Sequence, residues 1–167
     1  MAQPGSALAL GARSRRFESG RPDLPGHEKR IEIRWRDLDS YGHVNQAVYL
    51  TYAEEVLDDW FRARLGREPG TVWDYVARRT TIDYRDELRL ADRVAVGTAE
   101  LVALGTTSVT AKVTLSAPDG RVATELELVV VVIDGQGGAP RPLSDAERAA
   151  LAGEGQEFVA AGVEPLG

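Results

Sequence analysis

Cysteine is absent from the 167 residues and lysine nearly so, with Lys29 and Lys112 the only two among twenty basic side chains. Without cysteine there is no disulfide framework, no thiolate nucleophile and none of the common zinc sites. The arginines that replace lysine are spread over every segment rather than gathered in a site, which reads as a bias of the coding genome. Positive charge is also in short supply. A net charge of −6 and a pI near 5.0 count against non-specific nucleic-acid binding, which needs a basic face. Long apolar runs are missing too, since nothing approaches the ~20 residues of a membrane span. Leu8-Ala-Leu10 is too short for a signal-peptide core and has no basic residue before it. A cytoplasmic protein with neither nucleic-acid nor membrane partners is expected.

What is present is ordinary for a globular domain, with 43% hydrophobic and 28% charged residues. The length suits one domain with a sizeable core. Residues 1–26 set Arg13, Arg15, Arg16 and Arg21 among Gly, Ser and Pro, the composition of a disordered arm. The folded domain is expected over 27–152, with a loosely held tail at 153–167.

Along the chain, His27 to Arg36 reads as a strand, because Ile31, Ile33 and Trp35 alternate with charged residues. From Gln46 to Leu65 the period changes. Tyr49, Tyr52, Ala53, Val56, Leu57, Trp60 and Phe61 recur at three and four residues, marking an amphipathic helix that Gly66 is placed to end. Pro69 to Ala77 is expected to be a short helix or turn. Strands follow, through Thr80–Tyr84, Val94–Thr98, Val109–Leu115 and Val122–Ile133, with a strong hairpin turn at Ala117-Pro-Asp-Gly120. The doubly apolar end of the last run suggests a central strand covered on both sides, or one used in subunit contact. Ser144-Asp-Ala-Glu147 has the form of a capping box opening a short helix. The sum is an α+β domain whose antiparallel sheet would wrap the long helix.

The most informative stretch is Trp35 to Leu50. In an extended segment Asp37 and Asp39 would point the same way. Gly42 permits a sharp turn, and Asn45 is a good N-cap. The helix behind it would carry unpaired N–H groups and a partial positive charge. A carboxylate, the His43 imidazole and free N–H donors within one turn suffice for carbonyl-directed hydrolysis.

Asp37-Leu-Asp-Ser-Tyr-Gly-His-Val-Asn45, followed by Tyr49-Leu-x-Tyr52 and Glu54-Glu55, resembles a hotdog-fold acyl-CoA thioesterase of the 4-hydroxybenzoyl-CoA thioesterase type. The resemblance covers roughly 28–135. It implies a hotdog fold, a long central helix wrapped by a twisted antiparallel sheet of about five strands, assembled as a homodimer or homotetramer. It implies that Asp39 attacks the thioester carbonyl or activates water. The backbone N–H groups of Asn45 and Gln46 would polarise the carbonyl oxygen, with Tyr49 also on the substrate side. The motif is similar as well to acyl-carrier-protein thioesterases, which adds His43 as a catalytic residue. No metal or cofactor is implied. The substrate would be an acyl-CoA, or alternatively an acyl-carrier-protein thioester.

Some positions depart from these patterns. Tyr41 stands where the acyl-carrier-protein enzymes have asparagine, and Gln46 replaces a second asparagine. The hairpin Leu104-Gly-Thr-Thr-Ser108 lacks the basic pair that holds coenzyme A phosphates in some members. Asp37 reads as structural, paired with Arg34 or Arg36, and Glu54 and Glu55 as a solvated or interface face. Two alternatives remain, a non-catalytic acyl-binding module and a hotdog dehydratase or hydratase, though the Asp-x-Asn-Pro-x-His spacing of the latter is absent.

Overall fold

The structure, a computed structural model, describes residues 27–67, 73–135 and 138–153. The expected arm at 1–26 and the tail after Gly153 lie outside the described residues. Five strands form one antiparallel sheet in the order β1-β3-β4-β5-β2: β1 Glu28–Glu32, β2 Tyr75–Tyr84, β3 Val94–Leu104, β4 Ser108–Ser116 and β5 Val122–Val132. With two helices, α1 (Gln46–Arg64) and α2 (Asp145–Ala152), this is an α+β architecture consistent with a hotdog fold.

Helix α1 forms where its periodicity places it. Its apolar stripe, from Tyr49 through Phe61, is fully buried, while Thr51, Glu54 and Glu55 face solvent. The stripe lies against β3, β4 and β1. Each large side chain so covered contributes on the order of 1.5–3 kcal/mol. The helix comes so close to the sheet that a Cβ at Gly97, in β3, would collide with Val56 Cγ2. At its end the chain turns at Gly66, φ 60°. Asp59 ties the outer flank of the helix to β1 through His27 at 2.7 Å and Lys29 at 3.5 Å.

The strand pattern matches the period-two reading in the later runs. The turn after β4 closes as its residues dictate, with the Gly120 N–H donating to the Ala117 carbonyl at 3.0 Å and Gly120 at φ 90°. β5 lies between β4 and β2, which accounts for its buried Leu126, Leu128, Val130 and Val132. β2 is an edge strand and is exposed along most of its length, Val76 and Tyr84 included.

Two expectations need correction. The first strand stops at Glu32, and Trp35–Asp37 form a short 3-10 turn instead of continuing it. Trp35 therefore leaves the core alternation and is 81% exposed. The turn wins because Asp37 closes it from within, accepting the Arg34 backbone N–H at 2.8 Å. In the stretch read as a helix or turn at Pro69 to Ala77, Tyr75, Val76 and Ala77 are already β2, paired with Val132, Val131 and Val130. Long-range pairing with β5 overrides the weak local signal there; residues 68–72 lie outside the described residues.

Candidate active site

The site is a small hairpin loop that delivers the chain into α1. Leu38 and Val44 bridge across it, the Asp39 N–H donates to the His43 carbonyl at 2.8 Å, and the Gly42 N–H donates to the Asp39 carbonyl at 3.1 Å. Gly42 takes φ 79°, the left-handed region that this reversal requires. A second segment packs alongside. Val44 N–H donates to Leu88 O at 2.8 Å, and His43 bridges Arg89.

The two aspartates do not point the same way, because Asp37 ends the 3-10 turn and Asp39 opens the next one. Asp37 turns inward and is only 4% exposed. Its Oδ2 accepts from the Arg34 backbone, from Arg34 Nε at 3.1 Å and from the Tyr52 hydroxyl at 2.7 Å. Burial pushes its pKa up, but these donors and the Arg34 charge together outweigh that and hold it below the usual carboxylate value. Tyr52 is pushed up in return, by burial and by Asp37. Of the two arginines the sequence suggested, Arg34 is the partner, and the Tyr52 hydroxyl is one it did not suggest.

Asp39 stays near the surface. Its Oδ1 accepts from the Tyr41 N–H at 2.8 Å and the His43 N–H at 3.2 Å, both within its own turn. Its Oδ2 has no partner among the described residues. The carboxylate is thus anchored by one oxygen and open at the other, an arrangement suited to a base or nucleophile. It is equally the geometry of an Asx turn, which has a purely structural use.

The helix start divides the two backbone donors. Asn45 caps α1, its side chain accepting the Ala47 N–H at 2.9 Å. Its own N–H is taken by the Asp37 carbonyl at 2.8 Å, so it is not available to a substrate oxygen. The Gln46 N–H has no partner among the described residues, and Gln46 is exposed. The donor pair expected from the motif is reduced to that single N–H.

His43 is half-buried, with Nε2 2.9 Å from Glu87 Oε2. The Tyr41 ring lies 6.5 Å from the imidazole, inclined 29° to it. Glu87 went unnoticed in the sequence, and no local signal marks it. Tyr49 does not line an open surface. It is 3% exposed, its hydroxyl accepts the Leu88 N–H at 2.8 Å, and its ring meets Tyr84 edge-on at 5.6 Å. Burial raises its pKa. Tyr84 in turn donates to the Gln46 carbonyl at 3.0 Å, so the two tyrosines fasten the helix start to β2.

A groove of about 440 Å³ runs between α1 and β2, lined by Thr51, Glu54, Glu55, Leu57, Tyr75 and Val130 among others. Asp39 and His43 do not line it. Among the described residues no group of three or more His, Asp or Glu side chains could hold a metal ion. No helix among them is long and apolar enough to cross a membrane.

The sequence profile of the thioesterase-like superfamily matches residues 33–151. Among solved structures, the chain is similar to a thioesterase complexed with coenzyme A and Zn from Thermus thermophilus. The two share 32% identity over 75% of this chain and 90% of that one, with a TM-score of 0.66. It is also similar to a thioesterase superfamily protein from a Jannaschia species, at 27% identity over 80% and 85% and a TM-score of 0.67. A Staphylococcus aureus protein in complex with CoA shares the fold at 15% identity, over 77% and 82%, with a TM-score of 0.65. No curated protein sequence matches.

Proposed function

The chain belongs to the thioesterase-like superfamily, and from that premise we propose that it hydrolyses an acyl-CoA thioester to the free acid and coenzyme A. The observation that carries the reading is the Asp39 carboxylate, anchored through Oδ1 with Oδ2 open, on the loop that ends at the unpaired Gln46 N–H. Thioesters are already activated acyl donors. The protein need supply only a nucleophile and a donor for the oxygen that gains charge.

In one route Asp39 takes a proton from water as the water oxygen attacks the carbonyl carbon. The tetrahedral intermediate then collapses with departure of the coenzyme A thiolate, which is protonated to the thiol. In the other route Asp39 Oδ2 attacks directly, the thiolate leaves, and water cleaves the resulting anhydride. Both routes place negative charge on the carbonyl oxygen, where the Gln46 N–H and the positive end of α1 stabilise it. His43 assists proton transfer from the same loop. Asn45 and Tyr49 act on the substrate indirectly, by fixing the helix start. Neither route calls on a metal or cofactor. Coenzyme A as the leaving group is supported by its presence in the Thermus thermophilus neighbour.

The working unit is 27–152, a hotdog domain with α1 as its central helix, acting in the cytoplasm. It functions as a homodimer or homotetramer. The exposed β2 edge, with Val76 and Tyr84 uncovered, is a liability unless a second copy pairs with it. Sedimentation at micromolar concentration should show at least a dimer, and an active monomer would contradict the assembly.

The deciding experiment is release of free thiol from a panel of acyl-CoAs, read with a thiol dye, with an acyl-carrier-protein thioester as a parallel arm. Turnover of at least one acyl-CoA supports the reading. Binding without thiol release from any donor would leave an acyl-binding module, and hydration of an enoyl thioester would make the chain a hydratase.

A further inference from the structure

Resting on the thioesterase reading, we propose that Glu87 is a positioning residue that sets the orientation and tautomer of His43. Glu87 lies on the segment between β2 and β3, forty-four residues from His43, and the fold brings its Oε2 to 2.9 Å from Nε2. A carboxylate oxygen only accepts, so a nitrogen lone pair at that distance would be repelled. The negative charge beside it favours the tautomer with the proton on Nε2, through an ion-pair contact rather than an aligned hydrogen bond. The neutral ring then keeps its lone pair on Nδ1, which has no partner among the described residues. That nitrogen is the one able to accept a proton from water or return one to the leaving thiolate.

Glu87 is itself held from two sides. Arg89 takes its other carboxylate oxygen, and Arg121, from the hairpin between β4 and β5, donates to its carbonyl. Arg121 also binds Asp92 at 3.2 Å and lies 3.4 Å from Asp86, so it clamps both ends of the segment. The backbone of His43 is paired with the same segment at Arg89. Ring and carboxylate thus sit on two segments joined by one isolated β-bridge. The arrangement repeats the logic of a base oriented by a third, acidic group.

Two measurements test this on the full chain. In steady-state thiol release, Glu87→Ala should lower kcat about tenfold, a part of the ~10²–10⁴ that a positioned acid–base group contributes, with KM within about twofold. Introduced into His43→Ala, it should cost nothing further, as expected if its effect passes through the ring. Glu87→Gln, which keeps an acceptor oxygen, should recover part of the loss. In ¹⁵N spectra of the imidazoles, where only His27 and His43 contribute, neutral His43 should be the Nε2–H form in the wild type and a mixture in Glu87→Ala. An undiminished kcat in Glu87→Ala, or an equal loss in the His43→Ala background, would overturn the proposal. If the wild type releases no thiol, the thioesterase reading fails and the spectra decide alone: an unchanged His43 tautomer in Glu87→Ala then removes the positioning role.

Discussion

The chain around the start of each helix carries an acidic side chain, and the two are left in different conditions. In the first turn of α2, Glu147 is engaged at both oxygens, by Trp73 Nε1 at 2.8 Å, by the two Arg141 nitrogens at 2.7 and 2.9 Å, and by the Ser144 N–H at 2.9 Å. The Arg141 bonds depress its pKa strongly, against the opposing effect of burial. Ahead of α1, Asp39 is held only by backbone N–H groups of its own turn and keeps Oδ2 open. A carboxylate saturated with donors is committed to holding segments together, here Trp73 and Arg141 to the start of α2. One that is anchored yet open can still act on a third molecule. Asp37 resembles Glu147 in this respect, although only one residue separates it from Asp39.

The contrast is broken most directly by Asp39→Asn, which removes charge while preserving size. Thiol release should fall by at least about 10², with the urea midpoint nearly unmoved; wild-type turnover in a folded variant would end the assignment. Gln46→Pro should come next. Proline is tolerated at the first helical position, and Asn45 already has the extended backbone that must precede it, φ −59° and ψ 138°. Only the free N–H is lost, so kcat should drop by about 10², the scale of one oxyanion donor.

The closed carboxylates should respond in stability. Asp37→Asn is expected to cost about 2–4 kcal/mol in urea unfolding, because Arg34 and Tyr52 lose a buried charged partner. Full stability with abolished turnover would reverse the roles of the two aspartates. Glu147→Gln should cost about 1–2 kcal/mol at pH 7, with a definite pH dependence. A depressed folded pKa stabilises above the unfolded carboxyl value of ~4.3. That contribution starts to fade below the unfolded value and is lost only as pH falls through the folded one. The gap between variant and wild-type urea midpoints should therefore begin to close below about pH 4 and keep narrowing as pH drops further. The smallest effect belongs to Gln46→Ala, which leaves the N–H in place. Its turnover should stay within about twofold of wild type, and its contrast with Gln46→Pro isolates the backbone donor from the side chain.

The sequence by itself determined what short-range chemistry controls. The apolar spacing from Tyr49 to Phe61 placed α1, Asn45 and Gly66 marked its ends, and the capping box at Ser144 and Glu147 opened α2. The turn at 117–120 and the alternation in β3, β4 and β5 were legible for the same reason, that each depends on neighbours a few residues away. Tertiary structure decided everything that joins distant segments. It gave Asp37, which closes the 3-10 turn locally on the Arg34 N–H, a buried partner in Tyr52 fifteen residues on. It drew Tyr75–Ala77 into β2 through pairing with β5. It occupied the Asn45 N–H with the Asp37 carbonyl and left Gln46 as the remaining donor. It brought Glu87 to His43 across a separation that no motif spans, since hydrogen bonds and ion pairs are selected by proximity in space, and proximity is settled only when the sheet has closed against the helix.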